Sequence, residues 1–332
     1  MNLGILLWNT CNAACAHCAV NSGPKEKAIM TDGEIFNLID SAFYDCSSPS
    51  IGFSGGEAFL YYDRLCRILR YATAKGALVA VNTNGFWGKN YDDACDKIRE
   101  LNEIGVKKLV VSIDEFHEKF IPTQFPINVI KACKSLHLEV ELQFVSTKSS
   151  LRLSDLLNSH GDDLLNISCR EIPCHPVGRA GAIPKDHLFL NKKAPDGLCP
   201  SAIMSVSADG RLIPCCNTAG HSPELELGLV GDDIPKINEK FQSDSLFAIL
   251  RKRGPKAFYN IAVSKELIDE NNNHIDQCHL CHSLFKAEGS RTILTEYADS
   301  LMEDVVVEEL LHRVTRDISN QAILNSHVEP LS

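Results

Sequence analysis

Three cysteines, Cys11, Cys15 and Cys18, fall within the stretch CNAACAHC near the start of the 332-residue chain. At this C-x3-C-x2-C spacing three thiolates can ligate a [4Fe–4S] cube and leave one iron without a protein ligand, free to take a chelating cofactor. A structural zinc site needs four ligands, and in this neighbourhood only His17 is at hand to complete one. A second group lies far downstream: Cys199, Cys215, Cys216, Cys278 and Cys281, with Gly210 to Cys215 forming a G-x4-C element and CHLC closing the set. Two separated blocks ending in C-x2-C make a discontinuous site for a zinc or one further [4Fe–4S] cluster, with Cys199, Cys215, Cys278 and Cys281 as expected ligands. His279 and His282 beside CHLC are substitutes that four cysteines render unnecessary. Cys216 is left over, either a packed free thiol or a reactive one.

Such residues need a frame. Up to about residue 170 a β-then-α rhythm recurs, with strands expected in LGILLW, SIGFSGG, ALVAVNTNG, VKKLVVSID, EVELQFVST and NISCREIPC. Between them run helical stretches at 31–43, 61–76, 91–105, 127–136 and 153–161. The first opens on the Thr31/Glu34 capping box, and two stop at Gly76 and Gly105. Six strands alternating with helices predict a parallel sheet, curled by right-handed crossovers into a full or partial barrel. In such folds chemistry sits at the carboxyl ends of the strands, where the first cysteine group, SGGE, NTNGFWG and SIDEFHE all fall. After residue 175 the rhythm stops and Pro, Gly and Cys become frequent. The division expected is 1–190 for the barrel and 191–332 for a small irregular metal-stapled domain closed by an amphipathic helix at 301–318.

Composition narrows the class. Hydrophobic residues make up 44% and charged residues 23%, as in ordinary globular proteins. A net charge of −10, from 33 basic and 43 acidic residues, argues against a sequence-independent grip on nucleic acid. No apolar run approaches the roughly 20 residues needed to span a bilayer, and the opening MNLGILLWN lacks the flanks of a signal peptide. A cytoplasmic protein is expected, and in that reducing compartment 14 cysteines point to metal, cluster or catalytic use rather than disulfides. Cys46, Cys66, Cys95 and Cys133 sit among apolar neighbours in or near helices and read as packing. Cys169 and Cys174 flank the sixth strand, Cys174 at its rim. Arg179 can pair with a carboxylate bidentately or lie on the surface.

CNAACAHC followed by SGGE after the second strand resembles the radical S-adenosylmethionine (radical SAM) superfamily. The resemblance implies a partial (β/α)6 TIM-like barrel, a [4Fe–4S] cluster on Cys11, Cys15 and Cys18, and reductive cleavage of S-adenosyl-L-methionine to a 5′-deoxyadenosyl radical. It makes Gly55, Gly56 and Glu57 the motif that holds the cofactor's methionine amino group. It sets Asn84, Gly85, Ser112 and Asp114 where the family contacts the sulfonium, the ribose or the substrate, and Arg179 where the cofactor carboxylate is in reach. Each of these also has a plainer reading as a turn or loop residue, as do Glu115 and His117. The second cysteine group is similar in layout to the SPASM/twitch extensions that carry auxiliary [4Fe–4S] clusters.

The set FSGGEAFL, NGFWG, SIDEFHEKFIP, CP…DGRLIPCC, FAILRKRGPKAFYNI and CHLCHSLF further resembles the radical SAM peptide epimerases that make epipeptides. That resemblance implies a ribosomally made precursor peptide as substrate, Cα hydrogen abstraction from an L-residue and hydrogen return by a cysteine thiol, which maps onto Cys216; Cys216 and Asp114 are the catalytic residues expected. An external electron donor of flavodoxin or ferredoxin type is implied, and recognition of the peptide is expected to be minimal or to use the barrel and the C-terminal helix. Two alternatives stand beside it: a peptide crosslinking enzyme forming thioether or carbon–carbon bonds, and a non-catalytic zinc or iron–sulfur binding protein.

Overall fold

Alternating burial sets the strands, and the residues that cap and stop the helices set their lengths. A computed structural model describes residues 1–199, 203–216, 218–305 and 307. Six parallel strands, β1 (Leu3–Leu6), β2 (Ser50–Ser54), β3 (Leu78–Thr83), β4 (Lys108–Ser112), β5 (Glu139–Ser146) and β6 (Ser168–Pro173), lie side by side in sequence order. Ile51, Phe53, Val79, Val81, Leu109 and Val111 are all but fully buried under the helices. The residues alternating with them, such as Ser54, Asn82 and Ser112, face the concave side and line its cavity.

The helices that cover the convex side are α1 (Asp32–Ala42), α2 (Tyr62–Ala74), α3 (Tyr91–Ile104), α5 (Gln124–Ser135) and α6 (Leu153–Leu164), while the short α4 (Glu115–Glu118) sits at the carboxyl rim, where Phe116 packs with Cys11, Ala13 and Cys15. α1 starts on the expected capping box, the Glu34 amide donating to Thr31 Oγ1 and the Thr31 amide to Glu34 Oε2. α3 stops at Gly105, whose left-handed φ of 93° suits glycine. Along α2 the buried positions Leu65, Ile68, Leu69 and Ala72 recur at helical spacing and form the stripe that packs on the sheet.

The downstream half continues the sheet. β7 (Met204–Val206) pairs in parallel with β1, and β8 (Arg211–Ile213) and β9 (Gly228–Leu229) follow antiparallel, so one sheet of nine strands runs β6-β5-β4-β3-β2-β1-β7-β8-β9 across the expected division near residue 190. The stretch read as irregular also holds α7 (Ile234–Ser243), α8 (Ser245–Arg253), α9 (Tyr259–Ser264) and α10 (Gln277–Leu284). Residues 290–305 are helical; the rest of the closing helix expected at 301–318 lies outside the described residues, apart from residue 307. Among the described residues no helix is long and apolar enough to cross a membrane.

Candidate active site

The loop carrying the first cysteines leaves β1 at the carboxyl rim and is held from two sides. From the β2 side, the Gly56 amide donates to Trp8 O (2.6 Å), the Glu57 amide to Thr10 O (3.0 Å), and Trp8 Nε1 returns a hydrogen bond to Glu57 O (2.8 Å). A Cβ on Gly56 would lie 2.1 Å from Thr10 O, and one on Gly55, at φ 147°, 2.5 Å from Trp8 O. The two glycines are therefore required by the close passage of the SGGE turn over the start of the cysteine loop. From the far end of the barrel, the Arg179 amide donates to Cys18 O (3.1 Å), Arg179 Nε to Cys15 O (3.0 Å) and its terminal nitrogen to Ser22 O. Gly178 packs so tightly on the same loop that a Cβ would lie 2.4 Å from Ala19 O.

These contacts close a cavity of about 300 Å³ on the concave side of the sheet. Its wall brings together Cys11, Cys15, Cys18, Gly55, Gly56, Glu57, Asn84, Ser112, Arg179 and Cys216. Cys216 is exposed to solvent and yet enclosed, because the surface it shows is cavity wall. Its route there matters. β8 runs antiparallel to β7, away from the carboxyl rim, and leads through Pro214 and Cys215 to Cys216. A Cβ built on Gly4 of β1 would sit 3.8 Å from Cys216 Cβ. The thiol thus enters the cavity from the end opposite the cysteine loop.

Several expected contacts are differently made. The Glu57 carboxylate is buried and receives Thr83 Oγ1 (2.7 Å) and the Phe59 amide (3.0 Å) on one oxygen and the Asn84 amide (2.7 Å) on the other. Burial pushes its pKa up, against those three donors. Two oxygens offer about four acceptor positions, so one remains toward the cavity. Asn84 turns its side-chain amide to Asn12 Oδ1 (2.9 Å) and Cys11 Sγ (3.8 Å), supporting the cysteine loop. Arg179 gives its Nε and one terminal nitrogen to loop carbonyls while it lines the cavity.

Asp114 stands behind the wall. It caps α4 through the Phe116 and His117 amides (3.0 Å each), meets His117 Nδ1 at 2.9 Å and lies 3.9 Å from His17 Nε2. Burial would raise the Asp114 pKa, but the charge of His117 and its hydrogen bond hold it below the usual value. Burial would likewise lower His117, and Asp114 outweighs it, so His117 is raised. His17, deeply buried, is pushed down to about 4. The pairing of His117 with Asp114 was open in the sequence as a loop salt bridge; that of His17 across the cavity corner was not legible, since the two lie a hundred residues apart.

Two sets of donors meet at the loop. Cys15, His17 and His117 have ligand atoms within 4.8 Å of one another, the spacing of a mononuclear site. Cys11 and Cys18 stand outside that tight group, yet near enough to Cys15 for all three thiols to repel one another's charge. Burial pushes Cys11 to about 11 and Cys15 to about 12, with Arg179 pulling the other way, so metal must displace protons to bind. His17 Nδ1 and Ser22 Oγ, both on residues of the wall, are buried without a hydrogen-bond partner and leave donors or acceptors for a bound molecule. In the second group, Cys281 is raised well above its ordinary value by burial and then by the nearness of Cys215, Cys199 and Cys278, so these four converge. Gly220 makes room for them, since a Cβ there would lie 2.0 Å from Cys215 O. Cys66, Cys95 and Cys133 are buried in helices, as their neighbours implied; Cys46 and Cys169 are half-buried, and Cys174 is buried on the cavity wall.

Residues 5–141 match the model of the radical SAM superfamily. A curated relative, the putative peptide biosynthesis protein YydG of Bacillus subtilis (strain 168), is 28% identical over 294 residues, covering 86% of this chain and 92% of its own. Among solved structures, native anSMEcpe with bound AdoMet superposes with a TM-score of 0.56 at 15% identity, covering 92% of this chain and 99% of that one. Streptococcus suis SuiB bound to precursor peptide SuiA superposes with a TM-score of 0.51 at 16% identity, covering 84% and 75%. At 92% coverage the likeness in fold extends well beyond residue 141. With its cysteine triplet at the rim of a parallel half-barrel and SGGE packed against it, the chain carries a radical SAM domain.

Proposed function

We propose that this protein is a radical SAM enzyme that inverts L-residues of a ribosomally made peptide to their D-forms. A [4Fe–4S] cluster together with S-adenosylmethionine would supply a 5′-deoxyadenosyl radical able to take a hydrogen atom from a substrate Cα. Cys11, Cys15 and Cys18 would hold that cluster, with Asn84 and Arg179 fixing the loop that presents them. Glu57, Ser112, His17 and Ser22 would contact the cofactor through the atoms they turn to the cavity. Cys216 would then break its S–H bond and give the hydrogen atom to the planar carbon, leaving a thiyl radical that one electron and one proton restore. The electron would come from an external donor of flavodoxin or ferredoxin type, with Cys199, Cys215, Cys278 and Cys281 holding an auxiliary [4Fe–4S] cluster able to relay it, and the proton would come from solvent.

One observation carries the reading: the Cys216 thiol reaches the cavity from the end opposite the cysteine loop. Inversion needs hydrogen removed from one face of a carbon and returned to the other, and two hydrogen-handling groups at opposite ends of one cavity meet that need. A peptide as substrate is supported by the peptide-related name of YydG and by the precursor peptide bound to SuiB. The test is turnover in D₂O followed by mass spectrometry. Inversion adds about one dalton per site from the exchanged thiol, and Cys216→Ala must abolish that gain while 5′-deoxyadenosine still forms. A loss of two hydrogens would establish crosslinking instead, and a product still inverted by Cys216→Ala would move the donor role elsewhere.

A further inference from the structure

The second cysteine group has one charged neighbour in its wall. Cys199, Cys215 and Cys281 line a small cavity whose remaining lining is apolar, Phe241 and Phe247 included, except at Arg251. α8 puts the arginine there. Phe247 and Arg251 lie four residues apart on one face of that helix, and Leu250 accepts the Cys199 amide on its carbonyl (3.2 Å). Gly254 lets the chain that carries Cys199 come so close, since a Cβ there would lie 2.0 Å from Gly197 O. The Arg251 guanidinium rests over the Phe241 ring, 5.5 Å from its centroid, and donates from one terminal nitrogen, Nη2, to Gln242 O (2.9 Å). The other, Nη1, is buried with no hydrogen-bond partner among the described residues. A buried guanidinium nitrogen left so costs free energy unless something accepts from it. Asp244, whose charge also reaches Arg251, is already engaged: its carboxylate caps α8 at the Leu246 and Phe247 amides (2.9 and 3.4 Å). The cysteine sulfurs are the acceptors left in that wall, and Arg251 is close enough to Cys199 for their charges to interact.

We propose that Arg251 turns this N–H and its positive charge on the auxiliary [4Fe–4S] cluster and so holds the cluster's reduction potential up. Reduction adds one electron, drawn from the external donor of flavodoxin or ferredoxin type, and leaves the four thiolate ligands in place. The reduced form carries one more negative charge than the oxidised form, so a cation and an N–H donor beside the sulfurs favour it. The apolar lining strengthens the effect, because little water is at hand to screen the charge. A guanidinium suits such a place, since it stays charged where a buried ammonium readily gives up its proton. The inference rests on the reading that Cys199, Cys215, Cys278 and Cys281 hold that cluster.

Potentiometric titration followed by EPR on the anaerobically reconstituted full chain reads the two clusters separately, since added S-adenosylmethionine alters the signal of the cluster with an open iron. The wild type should bind about eight irons per chain, about four for each cube. In Arg251→Gln the second midpoint should fall by at least about 59 mV, a tenfold change in the one-electron reduction equilibrium, with iron content and the first midpoint unchanged. Arg251→Lys, which keeps a charge at the position, should recover most of that fall. A fully loaded Arg251→Gln protein with an unmoved second midpoint overturns the proposal. An equal fall at both clusters, the mark of a loosened fold, overturns it too. Should Arg251→Gln not load the second cluster, Arg251→Met, whose apolar chain matches the lining, takes its place; failure of both makes Arg251 a builder of the site and ends the case for tuning. A wild type with about four irons and one signal sinks the auxiliary cluster itself, and the proposal with it.

Discussion

Replacing Gly56 by Ala tests how the cysteine loop is held. The added methyl would lie 2.1 Å from Thr10 O, 2.5 Å from Thr10 C and 2.8 Å from Asn9 O. A relaxed carbon–oxygen contact falls near 3.3 Å, so the overlap is about 1.2 Å, against backbone rather than a side chain that can swing away. The turn and the loop must part, and the bonds from the Gly56 amide to Trp8 O and from the Glu57 amide to Thr10 O lengthen or break. Overpacking of this kind costs about 3 kcal/mol. At roughly 2.1 cal/mol/K per residue of unfolding entropy, that is a fall of about 4 °C in melting temperature for a chain of this length. Because Thr10 precedes Cys11, the shift reaches the thiols directly, and iron bound after anaerobic reconstitution should fall well below wild type. Gly33→Ala is the matched control: its Cβ meets nothing within 4 Å, and in α1 alanine should stabilise by about 0.5–1 kcal/mol. A Gly56→Ala protein that keeps both its melting temperature and its iron would refute the clamp.

Three further outcomes follow from the same geometry. Arg179→Gln removes charged hydrogen bonds to Cys15 O and Ser22 O, worth about 1.5–3 kcal/mol each, and should speed loss of iron to a chelator at the first site; Arg179→Lys should not restore it, since one ammonium cannot reproduce the fork. In the metal-free protein, Asp114→Asn should drop the His117 titration below 6.5, because burial is then unopposed; proton NMR of the ring reads it, and an unmoved midpoint defeats the assignment. In the wild type the raised His117 contributes stability that is full below 6.5 and lost as pH rises through its folded value, while the lowered Asp114 contributes stability present above 3.8 and lost as pH falls through its own. In the variant the lowered His117 reverses that sign, so the melting temperature should fall as pH drops below 6.5 rather than as it rises above it. His175→Ala breaks the 2.9 Å contact to Asp276, which caps α10 at the His279 amide, and should weaken the EPR signal of the proposed second cluster more than that of the first.

Local chemistry made the first half legible. Thr31 with Glu34 announced a helix start, Gly105 a stop, and the β-branched runs of VKKLVVS and ALVAVNT the buried strands. The cysteine triplet and SGGE marked the rim because both signals are short and contiguous. What sequence could not carry was pairing across distance. Nothing in AIMSVSADGRLIPCC says that Ser205 will lie beside Gly4, and that single pairing brings Cys216 into the cavity. The helices α7 to α10 were missed because they are short, from 6 to 10 residues, which leaves too few turns for a periodic apolar stripe to show. Glu57, Asn84 and Arg179 were found as site residues, but their hydrogen bonds run mostly to the protein, which only the folded loop reveals.

The union of β7 with β1 also orders events during synthesis. The open edge of β1 waits for a partner roughly two hundred residues downstream, about 10–40 s at ribosomal rates of 5–20 residues per second. The Arg179 clamp likewise emerges long after the thiols it restrains. A nascent chain therefore offers its cysteine triplet loosely and with an unpaired strand beside it. Helper proteins that shield this strand, and iron delivery timed after chain release, would spare the cell both aggregation and premature metallation.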